Sequence, residues 1–493
     1  MKPSAPFLLG LIWFLMVAPL IADAQPAPVL TWITNSSVKL EQVIGDVDWA
    51  AAAQGSNVPT TSRTYTRFNI VANDLGASFA WGTNLIFLSG DTRGSNVNYH
   101  AADPLAWSTT SNGETGLLLN YFTNGNGSDV FVNPAGIDMS GDDVPQTGIT
   151  LSNVIYLICN SGAVTTNQDK HALDYTVLVT FNPANLTFQT NRTISVTTNG
   201  GHFVFASLHP FGTNVAMFGV GPYRKSDIYL AMTPTSSFLS GNGTVYFTGF
   251  TNGQPTWGTV ETNAVPVVQD NPANGRPWPD DSPTVAHLSV AYSTNLGLWL
   301  MTYDGGRNAT NTDGIYFTCA TQPWGPWSAP QLIFNAYRDR GFGQFIYNPA
   351  YSPPGPAGPT ADPANNNPTN TPGVVYSPDI IEPFTRISNS TVYIYYMMST
   401  WNPYTVVKMR SAFAINPVID PASMVESKNR FSFAWNAPTN IVYEVEYSTN
   451  LNNAWTTLTN SVISTNGTFN FTDDGSKSGG FGAARFYRLR TSP

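Results

Sequence analysis

Two aspartates offer the clearest chemistry in this chain: Asp74 in Asn73-Asp74-Leu75-Gly76, and Asp91 in Phe87-Leu88-Ser89-Gly90-Asp91-Thr92. Each stands at the end of an apolar, strand-like stretch near a glycine, where a carboxyl can face an open cleft while its strand stays buried. Two such carboxyls facing each other can cleave an acetal: one protonates the leaving oxygen, and the other attacks the carbon or activates water. Asp beside Gly is also the ordinary signature of a turn in which the carboxylate bonds backbone amides, and spacing alone favours the turn. The acid and the nucleophile or base are told apart by carboxylate separation, so both assignments stay open at this level.

Other residues suit a sugar-binding cleft. Trp401-Asn402-Pro403-Tyr404 sets two aromatics and an amide around a rigid proline, apt for stacking a sugar ring and bonding its hydroxyls; core packing is the competing role for Trp401. Tyr223 and Arg224, in a loop-like Gly221-Pro222-Tyr223-Arg224, are further candidates for holding hydroxyls or orienting a carboxylate. Asp379 and Glu382 are reserve acids for which a solvated or turn role is the first expectation. His100, His202 and His209 lack the spacing of a transition-metal site, and no cofactor is expected. Asp280-Asp281 would be the place for a Ca²⁺ held by oxygen ligands, though no loop motif supports it.

The elements that must position these groups are predominantly β. Short runs rich in Val, Ile, Tyr, Phe and Thr recur between Gly, Asn, Pro and Ser clusters, and no long stretch keeps helical periodicity. Charged residues are only 11% of the chain, against roughly 25% in average soluble proteins. That suits a neutral polysaccharide partner, whose hydroxyls are met by amides, hydroxyls and aromatic faces. A net charge of −9 without basic clusters argues against nucleic acid. The apolar run Phe7–Ile21 followed by Ala22-Asp23-Ala24 reads as a signal peptide over residues 1–24. The mature protein is therefore expected to be secreted, periplasmic or on the cell surface, with no integral membrane span. Export permits a Cys159–Cys319 bridge; two buried thiols in apolar strands are the equal alternative.

Five segments repeat one theme of strand, turn and second strand: Leu75–Ser89 with Leu105–Ser108, Gly148–Cys159 with Tyr175–Phe181, Phe203–Gly219 with Ile228–Met232, Leu288–Tyr303 with Ile315–Cys319, and Ile380–Ser399 with Val406–Ser411. Five four-stranded units closing into a ring remove exposed sheet edges and gather their inner strands around one funnel. The expected fold is thus all-β, a five-bladed propeller over residues 25–415 followed by a small C-terminal β-sandwich. Residues 349–373 read as a Pro/Asn/Gly-rich excursion between blades that would rim the funnel. A linker over 416–429 leads to the sandwich at 430–493, whose alternating strands are fibronectin-like and suit a spacer or attachment unit.

The run DLGASFAWGTNLIFLSGDTRG resembles the opening of the DUF4185 family, with its Asp-Leu-Gly and Gly-Asp-Thr motifs. LAWST, FGVGPYRKSDIYLA, LSVAYSTNLGLWLMTY with PWGPWSAP, and YSPDIIEPFTR with YIYYMMSTWNPYTVVKMRS follow in family order, so the resemblance covers roughly residues 65–415. It implies a five-bladed propeller and, as in characterised members, endo-acting hydrolysis of α-linked D-arabinofuranan, with the essential carboxylates at the positions of Asp74 and Asp91. The chain departs from the pattern at His287, where relatives commonly place Glu before the LSV strand, and at Thr109-Thr110, where they often place an acid. Two other functions remain open: a furanosidase acting on L-arabinan, and a non-catalytic, lectin-like propeller.

Overall fold

The computed structural model describes residues 29–491 except 95–102, 128, 138, 140–142, 163–174, 223–225, 270–284, 306–313, 359–371, 389, 440, 452–453, 478 and 482–483. The signal peptide, His100, Tyr223, Arg224 and Asp280-Asp281 therefore lie outside the described residues.

Five antiparallel sheets follow one another along the chain. Blade 1 pairs Ser78–Trp81, Asn84–Leu88, Leu105–Ser108 and Asn120–Tyr121 in order; blade 2 pairs Pro145–Leu151, Val154–Ser161, Tyr175–Asn182 and Thr187–Val196. Blade 3 runs from Phe205–Phe211 through Asn214–Val220 and Tyr229–Pro234 to an outer pair, Val245–Thr251 and Gln254–Gly258. Blade 4 holds Leu288–Ser293, Leu298–Gly305, Gly314–Ala320 and Gln331–Phe334. Blade 5 starts with Val375–Ile380, Thr391–Thr400 and Thr405–Asn416, and its outer edge is completed by Val29–Trp32 and Val38–Gln42 from the other end of the chain. This long-range pairing closes the ring.

The second strand of each blade explains why the sequence shows unbroken apolar runs: both faces are buried, and alternate residues enter different seams. In blade 1, Ile86 and Leu88 pack with Ile155 and Leu157 of blade 2, whereas Leu85 and Phe87 pack with Tyr395 and Met397 of blade 5. Ile158 turns toward Met217 of blade 3, Phe218 meets Met301 of blade 4, and Leu300 meets Ile394 and Tyr396 of blade 5. Each of the five seams thus has its own hydrophobic cluster. A buried Leu or Phe there contributes about 1.5–3 kcal/mol. Cys159 lies in the seam between blades 1 and 2 and Cys319 in that between blades 4 and 5, so both are buried free thiols and the disulfide alternative falls away.

Polar side chains link the inner strands around the ring. Thr150 donates to Ala80 O (2.7 Å), Gln146 joins Val204 O and Ala206 N, Ser207 accepts from Val290 N, Ser289 accepts from Ile380 N, and Ser399 accepts from Leu75 N. These bonds satisfy backbone groups that the inner edge of a blade would otherwise leave open.

The C-terminal region is two facing three-stranded sheets, Val425–Ser427, Arg430–Asn436 and Thr468–Asp473 against Thr456–Val462, Tyr443–Ser448 and Phe486–Thr491. Trp435, Tyr443 and Phe469 form its centre. The sandwich starts earlier than the expected boundary at 430. Val425–Ser427 pairs with Arg430–Ser432, and Ile419 bridges Trp435, so the segment read as a linker supplies an edge strand. Its polar residues disguised that strand because an edge needs no apolar face.

Candidate active site at one end of the ring

In an antiparallel blade the start of the first strand and the end of the second share one end of the sheet. That end carries an unusual set of acids. Asp74 precedes the first strand of blade 1 and Asp91 follows the second; Asp143 precedes the first strand of blade 2; Asp304 ends the second strand of blade 4; and Asp379 belongs to the first strand of blade 5. Asp103 precedes the third strand of blade 1.

Asp74 and Asp91 are both half-buried. The Tyr376 hydroxyl donates to Asp74 Oδ2 at 2.8 Å, and Gly90 N donates to the Asp74 carbonyl at 3.0 Å. The second bond brings the two motifs side by side. A Cβ at residue 90 would lie 2.3 Å from Asp74 Oδ1, so only glycine admits the carboxylate next to Asp91. Leu75 has φ 63° and Ser377 φ 49°, left-handed values that cost a residue with a side chain on the order of 1 kcal/mol each. Both strained residues adjoin the interacting pair Asp74 and Tyr376. Gly76 continues the turn at φ 146°, where a Cβ would meet Met397 Cβ at 2.7 Å.

Asp103 and Asp379 were not among the primary candidates, yet their electrostatics is the most distinctive here. Asp103 is 1% exposed, and neither carboxyl oxygen has a hydrogen-bond partner among the described residues. Burial first, then the nearby charges of Asp91, Asp74 and Asp143, push it well above the usual carboxylate range. Asp379 is pushed up to about 7, mainly by burial, with Asp304 and Asp74 adding repulsion and a bond from Ser377 Oγ (2.8 Å) and the proximity of His287 opposing it. Asp74 is common to both groups. Asp143 accepts from Gly162 N and Ser161 Oγ.

His287, the departure from the family pattern, sits within this cluster. Its ring packs between Phe205 of blade 3 (4.6 Å between centroids) and Tyr376 of blade 5 (5.8 Å), with Nδ1 3.5 Å from Asp304 Oδ1. The backbone N of His287 also donates to that oxygen at 2.6 Å.

The Trp401–Tyr404 turn departs from the expected sugar platform. Asn402 is 0% exposed and accepts from Gly358 N through Oδ1, tying down the Pro-rich excursion. Tyr404 is 1% exposed and donates to the Asp91 carbonyl at 2.9 Å. Neither presents a face to a ligand; their part is to position loops, Tyr404 that of Asp91 itself. Trp401 is half-buried, edge-on to Tyr404. Glu382 lies past the far end of its strand, in the turn Glu382–Phe384. His209 has both ring nitrogens engaged, with Tyr292 N and Pro210 O, and His202 stacks on Tyr229 at 3.9 Å. Among the described residues, no three His, Cys, Asp or Glu side chains gather as metal ligands, and no helix is long and apolar enough to cross a membrane.

Asp304 carried a readable signal, since it ends an apolar strand beside a glycine, as Asp91 does. Asp103 and Asp143 had none, because their proximity to Asp91 and Asp74 arises only when blades 1 and 2 meet.

No curated protein matches the sequence. Similar solved structures include an exo-β-1,3-galactanase from Phanerochaete chrysosporium (9% identity, 92% of this chain and 100% of that one, TM-score 0.38) and a GH43_1 enzyme from Xanthomonas citri (8%, 72% and 88%, 0.37). A thermostable family-43 glycoside hydrolase is similar at 13% identity, over 71% of this chain and 91% of that one, with TM-score 0.37. The ring itself rests on the strand pairings and inter-blade bonds described above. The model of the family described as "Domain of unknown function (DUF4185)" matches residues 60–410, and the chain belongs to that family.

Proposed function

We propose that this protein is an exported glycoside hydrolase that cleaves α-linked arabinofuranan, acting within D-arabinan chains through Asp74 and Asp91. The observation that carries the reading is the meeting of the two motifs at one end of the ring, amid buried acids whose surroundings favour the protonated form. Acid–base cleavage of an acetal needs neighbouring carboxyls that differ in protonation. Asp74, held in place by the Tyr376 hydroxyl, takes the base or nucleophile role in this reading and Asp91 the acid role. Asp91 gives its proton to the glycosidic oxygen as the bond from that oxygen to the anomeric carbon breaks. Water supplies the new oxygen on that carbon, and its proton returns to the carboxylate pair. Asp103 and Asp379 keep the site from accumulating more negative charge than it can hold. The choice of arabinofuranan follows the family resemblance, and the low charge content suits a neutral glycan.

The test is reducing-end release from purified D-arabinan and L-arabinan, with Asp74→Asn and Asp91→Asn alongside. D-arabinan is expected to be shortened to oligosaccharides, and each variant should lose about 10³-fold in rate at unchanged melting temperature. Preference for L-arabinan would redirect the substrate assignment. Saturable binding with no new reducing ends would instead make the ring a lectin.

A further inference from the structure

A cavity of about 740 Å³ opens at the outer rim between blades 4 and 5, away from the acids. One wall is the closing strand Val38–Gln42, and the other is the turn that follows Gln331–Phe334. Its size is that of a small-molecule site.

The charges around it are nearly all matched. Lys39 Nζ bonds Asp48 at 2.6 Å and lies 5.6 Å from the centre of the Phe345 ring. Arg338 pairs with Asp339 at 2.7 Å and lies over Trp32. Arg340 is the exception: its exposed guanidinium has no ion-pair or hydrogen-bond partner among the described residues. Its backbone holds φ 57°, a conformation that favours glycine and that a long side chain adopts at a cost. The chain thus keeps an unmatched cation at a strained position in a cavity of a protein whose net charge is −9. Around it the primary amides of Asn35, Gln54 and Gln344 also line the cavity, groups that both donate and accept as sugar hydroxyls do.

We propose that this cavity binds a sugar carrying a single carboxylate, a uronate residue, with Arg340 meeting the carboxylate and the amides meeting the hydroxyls. One spare positive charge matches a monoanion. A neutral sugar would leave Arg340 unmatched, and a polyanion would exceed the free charge. The site is separate from the proposed catalytic acids and does not depend on their role.

Calorimetric titration of the full chain with galacturonate, galactose and inorganic phosphate tests it. Galacturonate is expected to bind saturably, at least tenfold more tightly than galactose, and phosphate should compete only weakly. Arg340→Gly should weaken uronate binding at least tenfold while holding or raising the melting temperature, because glycine relieves the left-handed backbone. Gln344→Ala should weaken it about threefold. No saturable binding of galacturonate, equal affinity for galactose, displacement by phosphate at matching concentration, or undiminished binding by Arg340→Gly would each overturn the proposal.

Discussion

The C-terminal sandwich and the acid-bearing end of the ring treat buried carboxylates in opposite ways. In the sandwich, Glu446 meets Arg488 at 2.5 Å and Arg490 at 3.5 Å, while Asp473 meets Arg485 and the Tyr487 hydroxyl. In the ring, the charges that act on Asp103 are those of other aspartates, and among the described residues the influences opposing the shift of Asp379 are the Ser377 hydroxyl and His287. Pairing buried ions holds a fold together only when geometry is good, and the aromatic core around Trp435 is the main support of the sandwich. Leaving acids against acids costs stability and tunes protonation, a pattern found where chemistry is done. The strained residues Leu75 and Ser377 also fall at the ring's acid end.

Removing a partner from a sandwich pair is expected to give a large loss of stability. Asp473→Asn leaves the buried Arg485 guanidinium without its counter-ion and is expected to cost about 3 kcal/mol in denaturant unfolding of the sandwich, with no loss of glycan cleavage below the transition. Survival of the sandwich within 0.5 kcal/mol, roughly the scatter for a surface substitution, would erase the contrast.

A comparable effect is expected from pH at Asp379. Its folded-state proton is held up to about 7, whereas the unfolded chain releases it near 3.8. Between those values the folded state binds the extra proton, so stability falls as pH rises through the window and does not fall further from this group above about 7. The contribution approaches the order of 4 kcal/mol across the window, from about 1.4 kcal/mol per unit. Asp379→Asn should flatten that part of the stability–pH curve, measured by chemical unfolding at pH 4, 5.5 and 7.5. An unaltered curve would show that Asp379 ionises freely in the fold.

Gly90→Ala tests the close approach of the two motifs. Its Cβ would overlap Asp74 Oδ1, and the displaced carboxylate should lower the cleavage rate about 10²-fold with a modest fall in melting temperature. Full activity would separate the Asp74 position from catalysis. The smallest effect is expected from Asp103→Asn: burial and the neighbouring aspartates favour the uncharged carboxyl, which an amide imitates, so stability at neutral pH should change by less than about 1 kcal/mol. A gain of several kcal/mol would mean that Asp103 is ionised in the native ring.

Much of the architecture could be read from residue order. The five strand–turn–strand units coincide with the five blades, and the two carboxylate motifs adjoin the first and second strands of blade 1. The completion of blade 5 could not be read, because Val29–Trp32 pairs with Phe413–Asn416 at the far side of the propeller sequence. A local pattern reports which residues can form a strand, and says little about a partner so distant. The Trp401–Tyr404 turn misled for a related reason: composition suits aromatics and amides equally to a sugar and to a core, and burial chose the core for Asn402 and Tyr404.

Strand propensity, two-sided apolar alternation and the family motifs are properties of neighbouring residues, and they specified the blades and the two aspartates. Ring closure, the burial of Asp103 and Asp379, and the seating of His287 between Phe205 and Tyr376 needed the folded chain. Those features depend on desolvation and on charges brought close from separate blades, and both quantities exist only when the blades have packed.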